Sequence, residues 1–418
     1  MITLLLITAY LVLEVLRPEV LMPGQDLQLQ FWLAAAMVIS CPAEMLMKGR
    51  GLQMGRASWW AIGLLITGLI SGTVATVQGV GDYSKMLDLA KVIFISLALM
   101  QAVDRESRLR YIRVVIVVLP LLLSIGGVLF SLGLPVPGFK FEAKVGRLQY
   151  AGILSDANDL GLTYMVAWGI LIYAAVNSNG FVKRTLALLL AIPAGWAIFL
   201  TVSRGAMLAA TTGIFMAFRR RMGARAAGIL AAVLLFGMVS LGVGRMGMLS
   251  SDESSADLRI RAWTQGWYML RSNPVFGVGP QNFKEYTQYA AHSSLVQIGA
   301  ELGMIGLFFW VAFFAMPLMG IPKEADENDS CIFIARQFHG TLVSCMVAAF
   351  FLSRAYIVTT YLMAGIVLCG VHIAADETVG ETESDSLQLE TRFRSVLALQ
   401  LALLLFWRYS IRLYVQGI

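Results

Sequence analysis

The chain has 418 residues, 58% of them hydrophobic and only 14% charged, with a mean hydropathy of +0.73. Soluble domains carry about a quarter charged residues, so this chain has too little polar surface to coat a soluble globule of its size. The figures exclude a soluble enzyme, a DNA-binding module and a disordered scaffold, and they define an integral membrane protein. The net charge of +6 calls for no nucleic acid, because cytoplasmic loops of membrane proteins are enriched in Lys and Arg.

A helix that crosses a bilayer needs about 20 apolar residues. In chain order, apolar runs fall near 2–16, 27–47, 58–80, 86–103, 111–134, 150–176, 184–202, 205–218, 226–244, 293–317, 337–352 and 355–374. They predict an all-α polytopic membrane protein of about twelve transmembrane helices over residues 1–374, with a large extracytoplasmic loop, 245–292, before the tenth. The first run lacks an Ala-x-Ala-like cleavage site and reads as a retained span. The small residues between Gly63 and Gly72 predict close helix packing, and Asp88 and Lys91, three apart, read as an internal ion pair.

Cations gather on alternate loops: Lys48, Arg50 and Arg56, then Arg105 to Arg113, Lys183 and Arg184, Arg219 to Arg225, and Lys323 with Arg336. That side is expected to be cytoplasmic, with both ends of the twelve-span bundle inside. Residues 375–390 read as an acidic, solvated linker. In 391–418, the apolar centre Val396–Trp407 is short for a span, so an interfacial helix is expected, with a thirteenth span as the alternative.

Four cysteines without a CxxC pair and three histidines without HExxH predict neither a disulfide framework nor a metal site, and no cofactor. The informative stretch is 245–292. Ser255 or Asp257 is expected to cap a helix over about 258–270, on which Arg259, Trp263 and Trp267 fall on one face. Asn273-Pro274, Gly277 and Gly279 then make a turn, and His292 stands at the threshold of the next span. Interface anchoring alone accounts for Trp and Arg in such a loop. Two further arginines shift the balance: Arg147, ahead of a span, and Arg204, in the Ser203-Arg204-Gly205 break between two apolar runs on the same side. A cation pressed against a membrane boundary is costly and usually functional. Planar guanidinium groups suit phosphate oxygens, so the set points to an anionic, lipid-linked phosphate ligand.

These residues resemble a family. Arg259, Trp263, Pro274, Phe276, Gly277, Gly279, Asn282, Phe283, His292, Glu301, Leu302, Gly303 and Gly306 are similar, in order and spacing, to the signature region of the O-antigen ligase and O-antigen polymerase superfamily. The stretch from Arg147 through Gly152 and Asn158 to Gly161 resembles that family's upstream motif, and Ser203-Arg204-Gly205 its Ser-Arg-Gly. Where the family often has His-Asn, this chain has His292-Ser293.

The resemblance implies a metal-independent, inverting glycosyltransferase in the bacterial inner membrane with its site facing the periplasm. It would move a glycan from an undecaprenyl diphosphate carrier to an acceptor, the lipid A–core for a ligase or another carrier-linked repeat for a polymerase. In that reaction Arg147, Arg204 and either Arg259 or Arg261 would stabilise the departing diphosphate. His292 would be the general base for the acceptor hydroxyl. Asn158, Trp263 and Glu301 are expected in the binding region, Glu301 as the partner of one of the arginines. Trp263, Trp267 and Tyr268 either stack on sugar faces or anchor at the interface. The rival from another class is a transporter or flippase of lipid-linked oligosaccharides, which fits twelve spans equally well but usually shows internal repeats and midplane binding residues.

Overall fold

The structure, a computed structural model, describes residues 1–17, 29–47, 49, 56–143, 146–246, 252–319, 321, 329–376 and 385–415. Lys48, Arg50, Lys323 and residues 377–384 of the acidic stretch lie outside the described residues. All twelve apolar runs are wholly or mostly helical, and the chain is a polytopic all-α membrane protein. Eight helices among the described residues are long and apolar enough to cross a membrane, and the apolar stretches Ile2–Leu16 and Val358–Ala374 are shorter. The eighth is Arg394–Leu413, within the C-terminal helix.

The chain divides into two compact units. The first comprises residues 1–48, 102–250 and 325–348. It holds α1 (Ile2–Leu16), α2 (Leu29–Met47), α5 (Glu106–Ser131), α6 (Ala157–Asn177), α7 (Phe181–Leu200), α8 (Arg204–Met246) and nearly all of α12 (Ser330–Ala349). α6 is its hub, packed on α5, α7 and α8. Leu121, Ala167, Leu171 and Ala191 form one core cluster there. Gly169 on α6 lets Thr341 of α12 approach to 3.0 Å from where a Cβ would stand. The two runs expected at 205–218 and 226–244 form one helix, α8, kinked at Gly223 (φ 81°, ψ 160°) beside the Arg219–Arg225 cluster. Between α5 and α6 lie a two-stranded antiparallel hairpin, β1 (Lys140–Phe141) with β2 (Leu148–Gln149), and a single 3-10 turn at Gly152–Ser155.

The second unit comprises residues 49–101, 251–324 and 349–418. It holds α3 (Arg56–Val77), α4 (Tyr83–Ala102), α9 (Asp252–Ser272), the single turn α10 (Phe283–Tyr286), α11 (Ser294–Met319), α13 (Val358–Asp376) and α14 (Asp385–Val415). The small-residue face of α3 works as expected. Cβ atoms at Gly63, Gly68 and Gly72 would fall within 2.3 Å of Phe309, Leu89 and Met86 respectively, so glycine there lets α11 and α4 close on α3. The Asp88–Lys91 pair forms at 2.9 Å.

Two local expectations are corrected. α9 starts at Asp252 rather than near 258, so Asp257 is not a cap. It lies inside the helix and accepts a 2.6 Å bond from Arg261 Nε, an i,i+4 pairing of opposite charges. The C-terminal helix is 31 residues long: it starts at Asp385, so 385–390 of the expected acidic linker are helical, and the flanking polar and cationic residues continue the helix of the apolar centre instead of ending it.

Candidate functional site

The residues singled out from sequence fall into two clusters, one in each unit. In the first unit the turn 201–203 between α7 and α8 is the organising feature. Val202 holds a left-handed φ of 50°. Ser203 caps α8: its Oγ accepts from the Ala206 amide at 3.2 Å, satisfying a helix-start N–H. The same hydroxyl donates to Asn158 Oδ1 at 2.8 Å. Arg147, delivered by the hairpin, donates through Nη2 to that oxygen at 3.0 Å and through Nε to the Thr201 carbonyl at 3.1 Å. Asn158 is fixed in turn, since its side-chain amide and backbone N–H both donate to Asp156, the N-cap of α6. Gly161 lets α6 reach this turn; a Cβ there would stand 2.7 Å from Ala206 Cβ and 2.9 Å from Thr201 Oγ1. Arg147, Asn158 and Ser203 therefore form one network, and Arg204 is exposed at the first position of α8. The positive end of that helix adds to the field of both guanidinium groups.

One cation here escaped sequence reading. Arg17, just past the end of α1 with φ 47°, is buried against Gly152. A Cβ at Gly152 would meet its guanidinium Nη1 at 2.7 Å. The Tyr150 hydroxyl donates to the Leu16 carbonyl at 2.7 Å, which ties the same segment to the end of α1. The only sequence signal was a glycine at a position needing positive φ, here 65°.

In the second unit the turn 273–281 is inserted into a break in α11. Gly303 (φ 69°, ψ −166°) interrupts that helix. The orphaned backbone groups find partners in the turn: Met304 N–H donates to Pro274 O at 2.8 Å and Ile305 N–H to Val275 O at 3.4 Å. Val278 N–H donates to Ala300 O at 3.1 Å and Gly279 N–H to Glu301 O at 2.9 Å. The Ser71 hydroxyl of α3 also donates to Glu301 O, at 2.9 Å. The contact is backbone on backbone, which explains the glycines. A Cβ at Gly277 would lie 2.4 Å from the Glu301 carbonyl carbon, and one at Gly303 would lie 2.4 Å from Val275 O. The motif Pro274-x-Phe-Gly-x-Gly followed by Glu-Leu-Gly is thus a seam that stitches a loop into a broken helix.

Glu301 is the centre of that seam and is fully buried. Its carboxylate accepts the amides of Gln281 and Phe283 at 3.0 and 3.1 Å, the Gln297 side chain at 3.4 Å, and the Tyr356 hydroxyl. Among the described residues its partners are amides and a phenol rather than an arginine, a correction to the sequence expectation. The carboxylate satisfies two backbone N–H groups at the end of the turn, those of Gln281 and Phe283. Burial beside Glu301 pushes the Tyr356 phenol well above its usual range, so it remains a donor. Lys85 at the start of α4, also overlooked in sequence, donates to Asn282 at 2.9 Å and pairs with Glu285 at 2.8 Å.

His292 sits at the entry to α11 with φ 47°. The turn is clamped on both sides. Trp263 Nε1 donates to the carbonyl of the preceding residue, Ala291, at 3.1 Å. Two residues on, the Ser294 hydroxyl donates to Leu352 O at 2.8 Å and accepts from the Arg354 amide at 2.7 Å. On α9, Arg259 lies one turn before Trp263 and shares the face whose indole bonds Ala291, whereas Arg261 lies off that face, exposed and tied to Asp257.

Residues 186–311 match the family model described as O-antigen ligase. The match takes in Arg204, Arg259, Arg261, Trp263, His292 and Glu301, and leaves Arg147 and Asn158 upstream of it. No curated protein matches the chain.

Proposed function

We propose that the protein is an inner-membrane glycan transferase of the ligase kind. It moves a glycan from undecaprenyl diphosphate to lipid A–core or a similar acceptor at the periplasmic face, with inversion and without a metal. The observation that carries this reading is the O-antigen ligase match, which contains both the Ser203-Arg204-Gly205 turn and the His292 turn.

The leaving group is a lipid diphosphate, whose charge grows as the glycosidic bond breaks. Preorganised cations stabilise such charge most effectively because they need not reorganise during the reaction. Arg147 supports this role: two of its five N–H donors are committed to Asn158 and Thr201, which fixes the plane of the guanidinium and leaves the remaining donors for phosphate oxygens. Arg204 joins it from the start of α8. His292 takes the proton of the attacking sugar hydroxyl, and Trp263 holds its turn while offering an indole face to the glycan. Glu301 serves the site by building the turn that precedes His292.

Between the two arginines of α9, the helix register favours Arg259. Arg259→Ala is expected to lower transfer about 100-fold or more, by analogy with removing one preorganised oxyanion donor. Arg261→Ala is expected to cost less than about threefold, since an exposed i,i+4 pair contributes little. The reverse order would move the role to Arg261, and equal losses would overturn the preference for Arg259.

The test of the whole reading is a gel of surface and carrier-linked glycans from a host lacking this gene. Long chains stranded on the carrier are expected for a ligase. Single repeats reaching the acceptor would identify a polymerase, and an unchanged profile of both would overturn the reading.

A further inference from the structure

The geometry points to Trp407, on the C-terminal helix, as a positioning residue for the His292 turn. Trp407 is only 1% exposed and is the largest fully buried side chain among the described residues. Its indole N–H donates to the Trp263 carbonyl at 3.1 Å. Trp263 in turn donates its own indole N–H to Ala291 O at 3.1 Å, one residue before His292. Two hydrogen bonds in series therefore run from α14 through α9 to the left-handed His292 residue.

The neighbouring residues are cut to fit this indole. A Cβ at Gly299 of α11 would stand 3.0 Å from the Trp407 ring and one at Gly266 of α9 would stand 3.3 Å from it. Trp267 meets the ring edge-on, with centroids 5.2 Å apart and planes at 83°. Lower on the same helix, Gln400 donates to the Met304 carbonyl at 3.0 Å, one residue past the Gly303 break. α14 thus grips both elements whose junction presents His292. A membrane anchor needs no indole N–H directed at a carbonyl of a neighbouring helix; a device that sets the rotation of α9 does.

The inference rests on the role proposed above for His292, and its test separates the two. Trp407→Phe keeps an aromatic ring between Gly266 and Gly299 but removes the donor. The full-length protein in native membranes is treated with diethyl pyrocarbonate, and labelling of His292 is followed by mass spectrometry, which resolves it from His339 and His372. Trp407→Phe is expected to accumulate normally, to change the labelling rate of His292 at least about threefold, and to lower glycan transfer about tenfold, in keeping with the sensitivity of catalysis to displacements of an ångström. Trp263→Phe breaks the next bond in the series and is expected to give the same pair of changes. The double variant should be no worse than either single one, since the two bonds act as one unit. Leu405→Ala, an exposed position on the same helix, is expected to behave as the parent protein.

Parental labelling of His292 in Trp407→Phe, or losses that multiply in the double variant, would overturn the inference. Altered labelling combined with full transfer by His292→Ala would uphold the link from α14 to the turn and remove the general base instead. If Trp407→Phe fails to accumulate, Trp263→Phe decides the same question.

Discussion

Replacing His292 with alanine is expected to abolish glycan transfer, by about 100-fold or more, while leaving the amount of protein in the membrane unchanged. General-base catalysis is worth about 10²–10⁴ in rate, and a sugar hydroxyl is too weak a nucleophile to attack without it. His292 also has a backbone duty, because its φ of 47° lies where most side chains are disfavoured. An alanine there costs about 1 kcal/mol in backbone strain, so the alanine variant alone would confuse chemistry with conformation. His292→Asn separates them, since asparagine tolerates the left-handed region but cannot act as a base near neutral pH. Both variants should be inactive in the glycan gel. Activity restored by Asn but not Ala would make His292 a turn residue and leave the acceptor to be activated elsewhere.

The largest stability effect is expected at Gly303. Its φ of 69° and ψ of −166° lie in a region essentially restricted to glycine. Its missing Cβ would stand 2.4 Å from Val275 O, 2.5 Å from Val275 C and 2.7 Å from the Gly277 nitrogen, all backbone atoms that cannot rotate away. Gly303→Ala must therefore either expel the 273–281 turn or straighten α11, and each route leaves buried amides and the Glu301 carboxylate without partners. Strain of about 1–3 kcal/mol adds to a similar cost for every unpaired buried group, enough to prevent accumulation. Gly228→Ala is the matched control: it lies in α8 with open space around it, and alanine there should be neutral or slightly stabilising. Membrane content and thermal unfolding in detergent read out both. Normal levels of a Gly303→Ala protein that melts like the parent would disprove the seam.

Much of this was legible in sequence, for identifiable reasons. Apolar runs mark membrane helices because lipid cannot hydrogen-bond a backbone, and each run falls wholly or mostly within a helix, although 205–218 and 226–244 share one. Arg147, Asn158 and Ser203 stood out in two separate motif stretches, but nothing in their spacing revealed that they meet or that one asparagine oxygen serves both partners. Glu301 was noticed but misread, because sequence shows a carboxylate in an apolar run and suggests a cation; the true partners are amides of a loop that no periodicity reports. Arg17 and Lys85 sit at the ends of ordinary spans, where a cation usually means only an interface anchor. Trp407 was read as the edge of an apolar stretch, since its significance depends entirely on which helix it meets.

The interleaving of the two units along the chain has a consequence for biogenesis. Segments 102–250 supply α5 to α8 without interruption, so the core around α6 can assemble as these helices leave the translocon. The second unit has no such continuity. Ser71 of α3 must wait for Glu301, 230 residues later, and α11 must wait for Trp407. During that interval the glycine-lined face of α3 meets lipid rather than Phe309, and membrane proteases have their longest opportunity. A chain released early, after α12 but before α14, would carry a finished first unit and an unfinished second, so nonsense alleles late in the gene should yield short-lived rather than merely inactive protein.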